Sequence, residues 1–403
     1  MAYEIRAVEA DEIEQFMLAD KRGFSALAPG TARTWAEAEL DRTRLAFEGS
    51  EVVGGSRAYS FELTMPGGAQ IPVAAVSWVA VIPTHRRRGI LTQMMNALHE
   101  DARARGEAGA ILTASESLIY GRYGYGVATW RLGISARRAH VEFRADVPAG
   151  GSVRFVEREE ADRVMPEIYD QVRAVRPGMV SRPSYWWPQV FWGWSEGSDK
   201  VFLVVVHSDD AGNDDGYIAY EVTGEWMGGV PDRRLLIWDF QATNAEARAA
   251  LWKFAFGVDL VGTVAATNVP IDEPLRHLIA DSRRVRVDFV NDGLWLAPLD
   301  SAALLSARRY ACEDHLVLEV HAPDGSVATL ALDGSDRDAK CVATNEPADF
   351  ACNAATLGTC VLGGNRWTEL RDASLVEERT AGALLRADAM FASTPVPAMT
   401  SYF

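Results

Sequence analysis

The sequence predicts a mixed α/β (α+β) chain of consecutive units, and three observations carry that reading. Residues Val79–Leu91 (VAVIPTHRRRGIL) run from an apolar strand into a basic, glycine-containing turn that opens an amphipathic helix. A similar order of strands and helix returns between Ser152 and Phe256, without the basic turn. After Gly293 the pattern changes to short alternating strands followed by two helices. A length of 403 residues fits two to three domains at roughly 150 residues each. The expected units are 1–145, 146–292 and 293–403.

In the first unit, the apolar spacing of Ile13, Phe16, Met17 and Phe24 predicts a helix with Asp11 as a candidate N-cap. Leu45–Val53, Gly54–Leu63 and Ile71–Ile82 read as strands separated by Gly/Pro turns. Met94, Met95, Leu98 and His99 share one face of the helix after Gly89, and Ala110–Thr113 forms another buried strand. The second unit reads as strand 153–156, a polar helix, the aromatic cluster Tyr185-Trp186-Trp187, strands 201–206, 216–222 and 234–240, and a helix over 245–256. It is taken as a duplicate of the first fold that has lost its ligand turn. The third unit holds strands at 316–320, 327–332 and 339–344 and helices near 353–362 and 378–391. Pro395 and Pro397 then send the tail off in extended form.

Composition narrows the function. A net charge of −16 argues against nucleic acid as a partner and favours cationic or amine ligands. The apolar runs are too short to cross a bilayer, so no membrane partner is expected. Met1–Ile5 lacks the pattern of a signal peptide, and a soluble, cytoplasmic protein is expected. Cys312, Cys341, Cys352 and Cys360 form no C-x-x-C pair and read as buried free thiols, with no metal site.

The Val79–Leu91 turn carries the chemistry. A helix N-terminus offers orphan N–H donors and a favourable dipole to an anion. Gly89 allows close backbone approach, and Arg86, Arg87 and Arg88 add donors suited to phosphate oxygens. A pyrophosphate fits. The chain has neither G-x-x-x-x-G-K-[ST] nor G-x-G-x-x-G, which sets aside nucleotide-hydrolysing and dinucleotide folds. Further on, Tyr120, Tyr123 and Tyr125 lie in a Gly/Tyr run after the 110–113 strand. A phenol titrates near ~10 and can hand a proton to a leaving group. Spacing leaves all three eligible.

The pattern V-x-V-x-P-x-x-R-x-x-G-[IL] resembles the acetyl-CoA motif of the GNAT superfamily. The longer runs VAVIPTHRRRGIL and ASESLIYGRYGYG, with DGLWL at Asp292–Leu296 and a C-terminal Phe, resemble the enhanced intracellular survival (Eis) family of N-acetyltransferases. The resemblance spans essentially the whole chain. It implies tandem GNAT folds followed by a sterol-carrier-like domain, a homo-hexamer, acetyl-CoA as co-substrate, and transfer to amines of aminoglycosides or lysines, at several positions. By position it implies Tyr120 as general acid and the terminal carboxylate of Phe403 as general base. It assigns cofactor binding to Val79, Ala80, Val81, Arg86, Arg87, Arg88, Gly89, Ile90, Ser115 and Glu116. A free α-carboxyl titrates near ~3.5, so a base at this position needs a buried, docked tail.

The amine pocket departs from the family. Tyr402 stands where an acid is expected before the terminal Phe, and the loop near Phe24 also lacks one. Phe24, Trp35, Trp78 and Tyr402 are the expected substrate-facing residues, giving a less acidic and more aromatic pocket with cation–π capacity. The rival readings are a non-catalytic lipid or acyl-CoA carrier, motivated by the third unit, and a transferase for another acyl-CoA.

Overall fold

A computed structural model describes residues 3–25, 38–148, 150–187, 202–224, 226–227 and 230–403. The first unit contains β1 (Glu4–Ala7), α1 (Ile13–Phe24), β2 (Thr43–Glu48), β3 (Glu51–Thr64), β4 (Gln70–Val81), α2 (Ile90–Ala104), β5 (Gly109–Leu112), α3 (Ser117–Tyr120) and β6 (Gly126–Val127). Apolar residues at 90, 94, 95, 98 and 102 bury one stripe of α2, as helical periodicity requires. The β2–β3 turn falls at Gly49–Ser50, where Gly49 has φ +63°, and not at Gly54 as expected. Gly54 and Gly55 are strand residues with a packing reason. A Cβ on Gly55 would lie 2.8 Å from the Phe16 ring. Asp11 does not cap α1. The Glu12 carboxylate instead accepts from the Glu9 N–H at the helix entrance.

The second unit contains β7 (Trp130–Arg137), β8 (Ser152–Val156), α4 (Arg158–Arg173), β9 (Phe202–Ser208), β10 (Asp214–Thr223), the hairpin β11 (Trp226–Met227) and β12 (Val230–Pro231), β13 (Arg233–Ala242), α5 (Ala245–Gly257), β14 (Val261–Pro270), α6 (Leu275–Leu278) and β15 (Arg286–Asp292). The third contains β16 (Trp295–Pro298), α7 (Ser301–Ser306), β17 (Asp314–His321), β18 (Val327–Gly334), β19 (Ala339–Ala343), β20 (Phe350–Asn353), α8 (Ala354–Cys360), α9 (Trp367–Asp372), β21 (Val376–Glu378) and α10 (Ala383–Phe391).

Two seven-stranded sheets share one plan, β1-β2-β3-β4-β5-β16-β6 and β8-β9-β10-β13-β14-β7-β15. In each, one parallel pair, β4–β5 or β13–β14, sits in an otherwise antiparallel sheet. The sixth strand of each sheet is exchanged: β7 follows the first sheet in sequence but joins the second, and β16 follows the second but joins the first. Sheet membership therefore changes hands near residue 129 and again after Asp292, so the expected boundary at 145 falls inside the second sheet's half of the chain.

The third sheet runs β19-β18-β17-β20-β21. Arg308 is wholly buried and donates to the carbonyls of Val361 (2.6 Å) and Phe391 (2.7 Å), closing the C-terminal ends of α8 and α10. Three cysteines are buried free thiols, but Cys312 is exposed, against expectation, because it lies in the loop before β17. No described helix is long and apolar enough to cross a membrane. One apolar core runs through all three sheets, joining Tyr59 and Phe61, Val204 and Tyr217, and Leu316 and Leu318. The third domain seats on the first sheet through glycines. A Cβ on Gly358 would stand 2.1 Å from the Leu296 carbonyl. Gly358→Ala is therefore expected to cost about 1–3 kcal/mol, read as a lowered Tm; an unchanged Tm would contradict this close contact.

Candidate functional site

The first sheet opens where the ligand turn begins. β4 and β5 pair only from Val73–Ala75 to Gly109–Ile111, so the rest of β4 has a strand partner on the β3 side alone. On that side Ser77–Ala80 faces Gly55–Arg57, one residue more on β4 than on β3. This bulge holds Trp78 at φ +52°, a costly conformation for a non-glycine residue. Its effect is to aim neighbours into different cores. Trp78 packs with Phe16 and against the core that holds Tyr59 and Phe61, as Phe403 does, whereas Val79 packs against the separate cluster that holds Met95, Leu98 and Tyr120.

After β4, Pro83–His85 forms a 3-10 turn, Arg87 takes φ +63° and Gly89 takes φ +81°. No side chain caps α2 at Gly89, and a Cβ built there meets nothing within 4 Å. The space beside Gly89 at the start of α2 is therefore open. The three arginines do not act alike. Arg86 donates to the Gly23 carbonyl (2.8 Å), and Arg88 donates to the Thr84 carbonyl (3.1 Å) and lies near Glu48. These two build the turn. Arg87 is exposed and makes no hydrogen bond or ion pair among the described residues. The second domain's α5 differs: the Asn244 side chain caps it at Ala247 N–H, and Asp215 holds Asn244. Protein groups occupy the place that an anion would take.

The structure separates the three tyrosines. Tyr123 pairs its hydroxyl with Thr92 Oγ1 at 3.1 Å, and Tyr125 pairs with His99 Nε2 at 2.9 Å. Burial lowers His99 to about 4, so its ring is neutral at physiological pH. The Tyr120 hydroxyl makes no hydrogen bond among the described residues. Its ring stands edge-on to Tyr125, 5.9 Å between centroids. Burial, with the nearby Glu116 carboxylate, pushes Tyr120 up to about 12, so it is protonated at neutral pH. Ser115 and Glu116 are exposed at the entrance to α3.

On the other face of β4 lies the C-terminal tail. Residues 397–401 are buried, and the Phe403 ring stands edge-on to Phe61 at 5.2 Å. The Trp186 indole donates to the Tyr402 carbonyl (2.7 Å), and Arg131 donates to the Tyr402 hydroxyl. A cavity of about 150 Å³ separates the end of β5 from the tail, lined by Thr113, Ala114, Arg131, Asn268, Ser401 and Tyr402. Phe24 is half-exposed at the end of α1, and Trp35 lies outside the described residues.

Two acidic residues outside the expected set, Asp20 and Glu39, are placed by the fold. Glu39, at φ +50°, accepts from the Ser60 N–H and from the Tyr185 hydroxyl, both at 2.8 Å. Asp20 lies one helical turn from Phe16 in α1. Neither is marked in the sequence by a motif; the i, i+4 relation of Asp20 to Phe16 is the one signal. Burial pushes the Asp20 carboxyl up to about 6. The fold thus favours its protonated form, a stability contribution present below its ordinary value and lost as pH rises through about 6. Asp20→Asn is expected to stabilise the protein more at about pH 7.5 than at about pH 4.5 in urea unfolding; an equal effect at both would contradict this.

Comparisons with known proteins agree with this geometry. Residues 4–128 and 178–296 each match models of an acetyltransferase (GNAT) domain, and 302–400 match a sterol carrier protein domain. An uncharacterized N-acetyltransferase of Streptomyces griseus is 35% identical, over 97% of this chain and 97% of that protein. The N-acetyltransferase Eis of Mycobacterium tuberculosis is 36% identical, over 88% of this chain and 86% of that protein. The crystal structure of Eis1 from Mycobacterium abscessus superposes with a TM-score of 0.89 at 33% identity, covering 99% of this chain and 100% of that one. The open turn at Gly89 and the splayed β4 lie in the first of two GNAT domains, and the chain belongs to the Eis family of GNAT N-acetyltransferases.

Proposed function

We propose that this acetyltransferase uses acetyl-CoA to acetylate primary amines of aminoglycoside-like, polyamine or lysine acceptors, at more than one position of a multi-amine acceptor. The observation that carries the reading is the bulged end of β4, which points Val79 to the Tyr120 side and Trp78 to the Phe403 side. Amine and thioester then meet at one strand end.

Acetyl-CoA supplies the activated acetyl group. The Val79, Ala80 and Val81 backbone holds the pantetheine arm along the open edge of β4. The N–H groups at Gly89 and Ile90 and the free Arg87 take the pyrophosphate, with Arg86 and Arg88 shaping the turn and Ser115 and Glu116 flanking it. Phe24, Trp78 and Tyr402 wall the acceptor pocket, and Asp20 and Glu39 attract its ammonium groups. The carboxylate of Phe403, whose ring is anchored against Phe61, accepts the amine's proton. Tyr120 donates its hydroxyl proton to the departing thiolate. A multi-amine acceptor re-enters in several orientations because aromatic walls grip by area and not by fixed hydrogen bonds. The family resemblance further supports a homo-hexamer in the cytoplasm, which light scattering tests for assembly.

Deleting Phe403 should lower kcat by about 10²–10⁴-fold with acetyl-CoA KM nearly unchanged, and Tyr120→Phe should do the same. Unchanged turnover in either case contradicts the assigned role. With Tyr120 held near 12, kcat should show no alkaline fall below about pH 10; a fall near pH 8 that Tyr120→Phe abolishes would contradict it. Mass spectrometry of polyamines and aminoglycosides after incubation with acetyl-CoA counts the acetyl groups added.

A further inference from the structure

In the second domain α5 is closed by Asn244, yet the domain keeps a buried charged constellation whose partners are residues of the tail. Arg182 donates from Nη1 to Asp239 (2.6 Å) and to the Tyr217 hydroxyl (3.3 Å). Its Nε donates to Ser401 Oγ (2.8 Å) and its Nη2 to the Thr400 carbonyl (3.1 Å). Tyr169 lies 3.7 Å from the guanidinium carbon and Trp186 lies 4.1 Å from it, so its faces are covered as well. Gln241 bridges Asp239 to Thr400 Oγ1, and Tyr169 pairs with Ser401 Oγ. Both charged side chains are almost wholly buried, Arg182 at 1% exposed and Asp239 at 3%.

A buried ion pair is weak support for stability, since well-packed apolar residues commonly do as well. What this pair does that apolar residues would not is read the tail. The planar fork meets one backbone carbonyl and one hydroxyl in consecutive residues, two residues before the chain's terminal carboxylate. We propose that Arg182 is a positioning residue for catalysis: through Thr400 and Ser401 it fixes where the Phe403 carboxylate lies, so that the former cofactor domain serves as the tail's receptor. This inference rests on Phe403 acting as the base. Arg182 does not touch the acceptor. A carboxylate displaced by about 1 Å loses up to about a hundredfold in rate, the scale of effect expected of a positioning group.

The test is Arg182→Lys in the full-length enzyme, which keeps a charge opposite Asp239 but loses the fork. Its kcat should fall about tenfold to a hundredfold, with acetyl-CoA KM within about twofold of wild type. Carboxypeptidase should release Phe403 faster than from the wild type, and added formate should restore part of the lost kcat, as it should for the Phe403-deleted enzyme. A folded Arg182→Lys enzyme with wild-type kcat overturns the proposal. So does a loss of kcat with the tail still protected and no response to formate. If Arg182→Lys does not fold, Thr400→Val combined with Ser401→Ala is read by the same criteria. Equal kcat for the wild type and the Phe403-deleted enzyme would instead sink the base assignment itself, whatever Arg182→Lys does.

Discussion

The burial of the C-terminal tail against Arg182 and Asp239 is the constraint on which the remaining architecture depends. The third domain ends in α10, and 12 residues then return across the molecule to reach β3. A terminus of that length is disordered by default, because ordering each backbone residue costs about 1–2 kcal/mol. Here the cost is met by contacts with the second domain. Arg176 holds the Val396 carbonyl, the Ala398 N–H bonds to the Pro177 carbonyl, Arg182 and Gln241 hold Thr400 and Ser401, and Trp186 holds Tyr402. The anchors fall within residues 176–186 and on β13, all in the second domain.

That arrangement gives the second domain a structural task, holding the tail. Its helix α5 is closed by Asn244, yet its sheet still presents Tyr217, Asp239 and Gln241 to the tail. The exchange of β7 and β16 keeps the two sheets in one relation, so an anchor on the second is an anchor for the first. A loose pair of domains would let the tail drift relative to β4, and the Trp78–Val79 bulge would then divide two sides that no longer met.

Much of the fold was legible from periodicity. The α2 stripe, the α5 helix and the strands of the third sheet answer to local pattern, and local pattern is what sequence carries. The misread turn at Gly54 has a physical source: glycine serves tight turns and close packing alike, and only the Ala80 carbonyl, 2.9 Å from a Cβ built at Gly54, distinguishes them. The strand exchange was not legible, since β5 and β16 are adjacent in space but far apart in sequence. Of the candidate site, the Gly89 turn could be read because its residues are contiguous. The division of labour among Arg86, Arg87 and Arg88 could not, because it depends on Gly23 and Glu48. The different settings of Tyr123 and Tyr125 likewise turn on Thr92 and His99. Arg182 gave no motif at all, as its partners lie 57 and 218 residues away.

The central claim is that one active site is assembled from Tyr120 in the first domain and a carboxylate placed by the docked tail. Its most direct test is a single glycine appended after Phe403, which moves the carboxylate by about 3.5 Å while leaving every side chain in place. The account predicts a loss of kcat of about a hundredfold or more, with calorimetric affinity for acetyl-CoA unchanged. Full turnover by the extended chain would contradict it.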